Sequence, residues 1–507
     1  MILTTTFLCF CLASAINYFR TRRQRSYIKN LGGPFTWPLL GAMHKLLFLK
    51  PQNFFQRSHA YLVKYGSVTR LWVFHRLFMP LADLELAKQV LQSEQHLETG
   101  YELMHHWLAG GVLMCEKEQW AQRHSLIRGI FEKGNMLPLT ELCRQQAVLL
   151  QLKLADRAEQ REVFNAWEIV APAVRDLMVQ TTCGLRPSEE YAKAFNGLTE
   201  IYRKRFLSLQ SVNRFSFWIS SPLMRRKQLK LIKRLNAEHK EHIERFRKQQ
   251  KQEEQLKAGN LSLDHIEPLP PQWHQSLLEV LLAPNHTPII SDDDICAELN
   301  TCNYLGYLLC SSALCFALVT IARHPAVQQR CLEELRKAQR PDQSWDVQRL
   351  TYLEAVLMET LRLYPPQVIV GRQLSEDMPY SECNSFLFLF LFQSLTAHSV
   401  VGDGTLPFGA EIYVNLFEMQ RDEERYLHAS HFRAERFLES PPELLSFSMG
   451  PRCCPARQFS MVMLKTLLAP IISSFELLPH GDAPRLDLRL ALGSSNGFQL
   501  ALTPRFQ

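Results

Sequence analysis

One ten-residue stretch narrows the possibilities for this chain more than any other. Phe447-Ser448-Met449-Gly450-Pro451-Arg452-Cys453-Cys454-Pro455-Ala456 sets an aromatic, a glycine, an arginine and a cysteine at fixed offsets, directly ahead of an apolar helical run. The glycine permits a close main-chain approach that a side chain would block. The arginine can pair with a carboxylate through two parallel hydrogen bonds. Either cysteine alone would read as a buried structural thiol. The 13 cysteines are otherwise scattered, with no CxxC pair and no metal-finger spacing, as befits reduced thiols in a chain facing the cytosol.

Taken together the ten residues resemble the haem-thiolate signature of the cytochromes P450, Phe-x-x-Gly-x-Arg-x-Cys-x-Gly. Phe447, Gly450, Arg452 and Cys454 match it, and Ala456 stands where the last glycine would be. The resemblance implies haem b (iron protoporphyrin IX), with Cys454 rather than Cys453 as the iron ligand and Arg452 on a haem propionate. It also implies a mainly α fold with smaller β-sheets.

Further segments extend the resemblance over most of the chain. Glu359 and Arg362 lie three apart on one helical face, where they can pair. Phe432-Arg433-Ala434-Glu435-Arg436-Phe437 is similar to the family's Pro-Glu-Arg-Phe element, whose arginine, here Arg436, would complete a buried Glu-Arg-Arg cluster. Trp120-Ala121-Gln122-Arg123-His124 is similar to the Trp-x-x-x-Arg helix that reaches the propionates, with either Arg123 or His124 in the basic role. Arg372, after Tyr364-Pro365-Pro366, stands where the fatty-acid ω-hydroxylase clan of the family has another propionate-binding arginine.

The segment expected above the haem departs from the pattern. Residues 299–322 carry no charge and are long enough to cross a membrane. Acids at Asp292, Asp293 and Asp294, and the polar Asn300, Asn303, Ser311 and Ser312, predict a buried central helix instead. Counting back from His324-Pro325 lays the family's Ala-Gly-x-Asp/Glu-Thr-Thr on Leu305-Gly306-Tyr307-Leu308-Leu309-Cys310. Gly306 is kept, which would let the helix run close over the haem. The acid is Leu308 and the alcohol is Leu309, neither of which can donate a proton or orient water. Leu305 stands where many ω-hydroxylases esterify the haem through a glutamate, so no ester link is expected.

The N-terminus sets the location. Ile2 to Phe19 carries no charge, and Arg20, Arg22, Arg23 and Arg25 follow. A signal peptide has the reverse order, and a mitochondrial transit peptide spreads its arginines through the segment. The order predicts an uncleaved anchor with its basic end cytosolic. Residues 1–25 are thus anchor and basic stop, 26–49 a Gly/Pro-rich hinge, and 50–507 the catalytic domain. The resemblance implies the endoplasmic reticulum membrane, with the catalytic domain in the cytosol. The net charge of +7 is too diffuse to argue for nucleic acid.

Within the domain, residues 225–257 read as a charged, mostly exposed amphipathic helix with Leu229, Ile232 and Leu235 at helical spacing. Residues 260–271 read as loop, and Ser67–Phe74 and Gly409–Phe417 as strands. Residues 381–398 form an unusual apolar insertion containing an alternating Phe/Leu run, Ser385 to Phe392. It reads as a membrane-dipping loop, an added strand or a translated intron, whose pyrimidine-rich codons such residues would share.

Two functions are weighed. One is a haem-thiolate monooxygenase drawing NADPH electrons through NADPH-cytochrome P450 reductase, with cytochrome b5 as a further candidate donor, and hydroxylating a lipophilic fatty acid, hormone or xenobiotic. The alternative is a peroxide-rearranging or dehydrating enzyme, or a degenerate haem-binding protein.

Overall fold

Apolar residues recurring every three or four positions put most of this chain into helices, and strands are confined to short runs. The computed structural model describes residues 2–505 except 48, 94–96, 116, 132, 207–216, 218–219, 258–274, 284–289, 343, 381–403 and 440. The principal helices are α1 (Ile2–Tyr27), α2 (Lys117–Ile130), α3 (Lys133–Glu159), α4 (Ala166–Cys183) and α5 (Glu189–Arg205). They continue with α6 (Pro222–Lys257), α7 (Asp292–Arg323), α8 (Pro325–Ala338), α9 (Thr351–Leu363) and α10 (Arg457–Ser474). Strands β1 (Leu71–Val73), β2 (Arg76–Leu81), β3 (Leu97–Thr99), β4 (Ile369–Gln373) and β7 (Glu411–Asn415) build a five-stranded sheet in the order β1-β2-β7-β4-β3. Between β4 and β7, β5 (Met378–Tyr380) and β6 (Gly404–Leu406) pair as a separate antiparallel ribbon.

The expected mainly α architecture with small sheets is what forms. Helix α7 is its axis. Ser291 caps it through the amide of Asp294, and the three aspartates occupy its first turn, where the helix dipole favours negative charge. Among the described helices it alone is long and apolar enough to cross a membrane, but 83% of that apolar window is buried inside the fold. It is therefore a core helix, as its polar residues predicted.

Two strand expectations shorten. Of Ser67–Phe74 only Leu71–Val73 is strand, because Arg70 instead donates its amide to Gly32 in the Gly/Pro-rich turn. Of Gly409–Phe417 only Glu411–Asn415 is strand. Gly409 turns with φ +75°, and Asn415 caps a short helix by accepting the amide of Glu418.

Helix α6 fulfils the amphipathic reading. Ile232 and Leu235 are buried while Leu229 stays partly exposed. The 260–271 loop and the 381–398 insertion lie outside the described residues. The insertion's flanks are described: Tyr380 pairs with Gly404 at the open end of the β5–β6 ribbon.

Helix α1 is a single rod with two kinds of surface. Phe7, Leu8, Leu12 and Phe19 are exposed, whereas Thr21 and Ile28, at and just past its C-terminal end, are buried against the body. There Gln24 donates to the Phe408 carbonyl (2.9 Å), Arg23 pairs with Asp377 (2.5 Å), and the Arg25 guanidinium stacks 4.5 Å over Trp72.

Candidate active site

The ten-residue loop is shaped by its own main chain. The amide of Cys454 donates to the carbonyl of Phe447 (2.9 Å), and that of Cys453 to Gly450 (3.1 Å). Gly450 has φ +71°, and a Cβ there would lie 2.2 Å from the Leu91 carbonyl oxygen. Glycine is thus required twice over, by backbone conformation and by close approach. The loop delivers Cys454 just ahead of α10, where free amides and the helix dipole favour negative charge on sulfur. Burial nevertheless pushes the thiol up to about 11, against the pull of the Ala456 amide. Cys454 is partly accessible as a residue, while its thiol is set deep in the fold.

Behind the loop, the predicted charge cluster forms. The Glu359 carboxylate accepts from Arg362 (2.7 and 2.8 Å), from Arg436 Nε (3.0 Å) and from the Arg433 amide (2.9 Å). Arg362 also donates to the carbonyls of Gln420 (2.7 Å) and Ala429 (2.8 Å). The side chains of Glu359 and Arg362 are wholly buried. Burial of that kind is tolerable only because each charge is paired and hydrogen-bonded.

At the edge of the loop, the Arg452 guanidinium sits 4.1 Å over the Trp120 ring, which stacks on His124 at 5.0 Å. A ring nitrogen of His124 lies 3.3 Å from the Cys453 carbonyl oxygen, and burial holds its pKa below the ordinary histidine value. Arg372, on β4, is 2% exposed. Arg123 turns the other way. It pairs with Glu298 (3.2 Å) and Asp294 (3.2 Å) of α7 and donates to the Gly110 carbonyl. The sequence left Arg123 and His124 as alternatives; the fold gives His124 to the loop and Arg123 to α7, because adjacent helical residues point about 100° apart.

On α7, Cys302, Leu305, Gly306 and Leu309 retain accessible surface, while Thr301, Asn303, Tyr304, Tyr307, Leu308 and Cys310 are buried. Spacings of three and four make the former a single stripe. Cys302 and Cys310 both lie near enough to Cys454 to feel its charge, so this stretch of α7 passes close to the cysteine loop. Leu309 belongs to the stripe and Leu308 does not. Leu308 and Tyr307 line a separate cavity of about 480 Å³ between α4, α5 and residues 487–498. Cys310 contacts Ser460 of α10. Gly306 serves a purpose the sequence did not suggest: a Cβ there would come 2.4 Å from the methyl of Met178 on α4, so its bareness lets two helices pack.

Sequence reasoning also missed Glu298. It is fully buried one turn before Cys302, accepting from the Val112 amide (2.9 Å) and from Arg123, and burial raises its pKa to about 7. Its signal was present, as the acid of Asp292–Arg323 that lies beyond the first turn.

These donors suit a haem. A deeply set cysteine lies near a helix stripe of apolar residues, and a glycine brings the main chain close beside it. Buried guanidiniums at Arg372 and Arg452 are the forked donors that bind carboxylates.

The family described as cytochrome P450 matches residues 31–382 and 385–500. Probable cytochrome P450 316a1 of Drosophila melanogaster is 63% identical over 506 residues, covering 100% of each chain. Cytochrome P450 4d8 of the same fly is 30% identical over 482 residues, 91% of this chain and 99% of the relative. Cytochrome P450 4d2 is 28% identical over 495 residues, 94% of each.

Proposed function

This chain belongs to the cytochrome P450 family, and on that premise we propose that it is a membrane-anchored haem-thiolate monooxygenase that hydroxylates a lipophilic substrate, with Cys454 as the iron ligand. Family membership makes it a P450 enzyme of the monooxygenase class that uses haem and a redox partner. The substrate class, the electron route and the residue roles are the proposal. The observation that carries it is the deeply set Cys454, in its glycine-shaped loop, close to the apolar stretch of α7.

Bound haem supplies the one-electron and oxygen-activating chemistry. Arg452 and Arg372 would hold its propionate carboxylates, Arg452 being braced by Trp120, while His124 secures the loop through the Cys453 carbonyl. Phe447 and Gly450 shape the loop that presents the Cys454 sulfur. Glu359, Arg362 and Arg436 keep the ground behind it rigid. Leu305 and Leu309 exclude water and accept an apolar substrate. Leu309 stands at the alcohol position, and the buried Glu298 carboxyl one turn from Cys302 is committed to Arg123 and the Val112 amide.

The exposed apolar part of α1, followed by its arginines, supports residues 1–25 as the anchor and 26–49 as the hinge to a domain running from 50 to 507. An endoplasmic reticulum location, with NADPH-cytochrome P450 reductase or cytochrome b5 supplying electrons, follows from that reading. Leu309 on the open stripe favours one second reading, rearrangement or dehydration of a peroxide substrate, which needs no external proton relay.

Purified protein with purified reductase tests the choice. NADPH consumption coupled to a hydroxylated lipophilic product supports the monooxygenase. Turnover of a lipid hydroperoxide without NADPH, and none with it, selects the second reading.

A further inference from the structure

Away from the cysteine loop, the last residue of α4 meets one face of α6 and a side chain of α7. Cys183 ends α4 ahead of Gly184, whose left-handed φ of 74° stops the helix. His239 and His242 are three apart on α6, so they share a face. Cys183 Sγ lies 3.8 Å from His239 Nδ1. One donor atom from each of Cys183, His239 and His242 falls within 4.8 Å of the other two.

We propose that Cys183, His239 and His242 bind a zinc ion that ties α4 to α6, with a water molecule as the fourth ligand. Zinc takes thiolate and imidazole ligands tetrahedrally, at distances that place those donors roughly 3.3–3.6 Å apart. The trio needs only a small contraction to reach that spacing.

The surroundings prepare the donors. Asn300 of α7 gives its amide hydrogens to Asn236 Oδ1 (2.8 Å), which leaves its own oxygen facing His239 Nε2 at 3.2 Å. Nε2 therefore carries the proton, and the lone pair of Nδ1 points toward Cys183, as a second-shell partner does for a metal-bound imidazole. The Glu238 carboxylate lies near enough to be felt by both Cys183 and His242, an electrostatic setting that suits a cation.

A thiol-to-imidazole hydrogen bond would account for Cys183 and His239 without a metal. It does not account for His242. That side chain is 8% exposed, and its Nδ1 is buried with no hydrogen-bond partner among the described residues. An unpaired polar atom inside a protein is costly, and coordination through that nitrogen would remove the anomaly. Binding displaces the thiol proton of Cys183, released to solvent, so one proton leaves per ion and nothing is oxidised or reduced. The ion has mechanical work to do. Helix α6 is charge-rich and is held to the body by few apolar side chains, Ile232, Leu235 and Ile243 among them.

The test uses full-length, haem-loaded protein without a polyhistidine tag, incubated with zinc and then freed of loose metal. Elemental analysis should find one zinc per chain beside the haem iron. Zinc K-edge X-ray absorption should show one sulfur and two imidazole nitrogens in the first shell. Cys183→Ala and His242→Ala should each lose the zinc while keeping the haem. If either variant fails to fold, the absorption spectrum of the wild type decides by itself. Haem-replete wild type that retains no zinc overturns the proposal, as does zinc whose shell contains no sulfur.

Discussion

The cysteine loop and the apolar stretch of α7 solve opposite problems. Behind Cys454 the chain buries a carboxylate and two guanidiniums, and gives each several partners. Across from it, the α7 stripe offers a thiol, two leucines and a glycine, and sets its carboxyl, Glu298, one turn away. On the proposed function the first side would hold a negative sulfur in a fixed place, which demands charge and rigidity. The second would admit an apolar molecule, which demands the absence of charge. The loss of the acid and the alcohol falls on the second side, whereas the cysteine-loop side departs only by small replacements such as Ala456 for glycine.

Exchange of the two neighbouring cysteines puts the largest effect on the first side. Cys454→Ser should abolish the thiolate-type carbon monoxide difference band altogether, since an alcohol is a poor substitute for a thiolate ligand. Cys453→Ser should leave the band in place, and its disappearance there alone would move the ligand by one residue.

Next comes the charge cluster. Arg436→Ala leaves Glu359 buried with one cation fewer and should cost about 3–5 kcal/mol in denaturant unfolding. Arg433→Ala removes only an exposed pair with Glu439 and should cost about 0–1 kcal/mol. Equal costs would mean that the cluster does not act as a buried unit.

Glu298 probes the other side. Its pKa is raised from 4.5 to about 7 by burial, so the folded chain keeps this proton over a window in which the unfolded chain has lost it. Its contribution to stability is therefore complete below pH 4.5 and falls, by on the order of 2–3 kcal/mol, as pH rises to about 7. Glu298→Gln should flatten that part of the pH–stability curve. An unchanged curve would show that Arg123 keeps the carboxylate ionised throughout.

A smaller change is expected from restoring an alcohol. Leu309→Thr should raise product formed per NADPH several-fold, and adding Leu308→Asp should contribute little, because Leu308 faces away from the stripe. Efficient coupling in the wild type, with no gain in Leu309→Thr, would show that the stripe needs no hydroxyl.

The smallest effect belongs to neither side. Deleting residues 381–398 leaves 399–403 to join Tyr380 to Gly404, which are already paired across the β5–β6 ribbon. Five residues are an ordinary hairpin connection. Haem content should match that of the full chain, and a deletion that loses haem would make the insertion a structural element.

Much of this was legible beforehand because it depends on local order. Phe447, Gly450, Arg452 and Cys454 lie within eight positions of one another, so their pattern survives in the linear chain. Glu359 and Arg362 share a helical turn, and only Arg436 had to be matched at a distance. Strand ends were less legible, since Arg70 and Gly409 follow main-chain partners and turns that no local pattern announces.

What the sequence determined by itself is therefore the family signature, the charge-free N-terminal run with its arginines, and the leucines at the acid and alcohol positions. Tertiary structure decided which of two adjacent residues serves the loop, His124 rather than Arg123, and which of two adjacent leucines meets the stripe. It also decided that Gly306 makes room for Met178, that Glu298 is buried beside Arg123, and that Cys183 meets two histidines from α6. Each of those facts depends on how helices far apart in the chain are turned toward one another. That rotation is set by packing summed over the whole core, and no short stretch of residues encodes it.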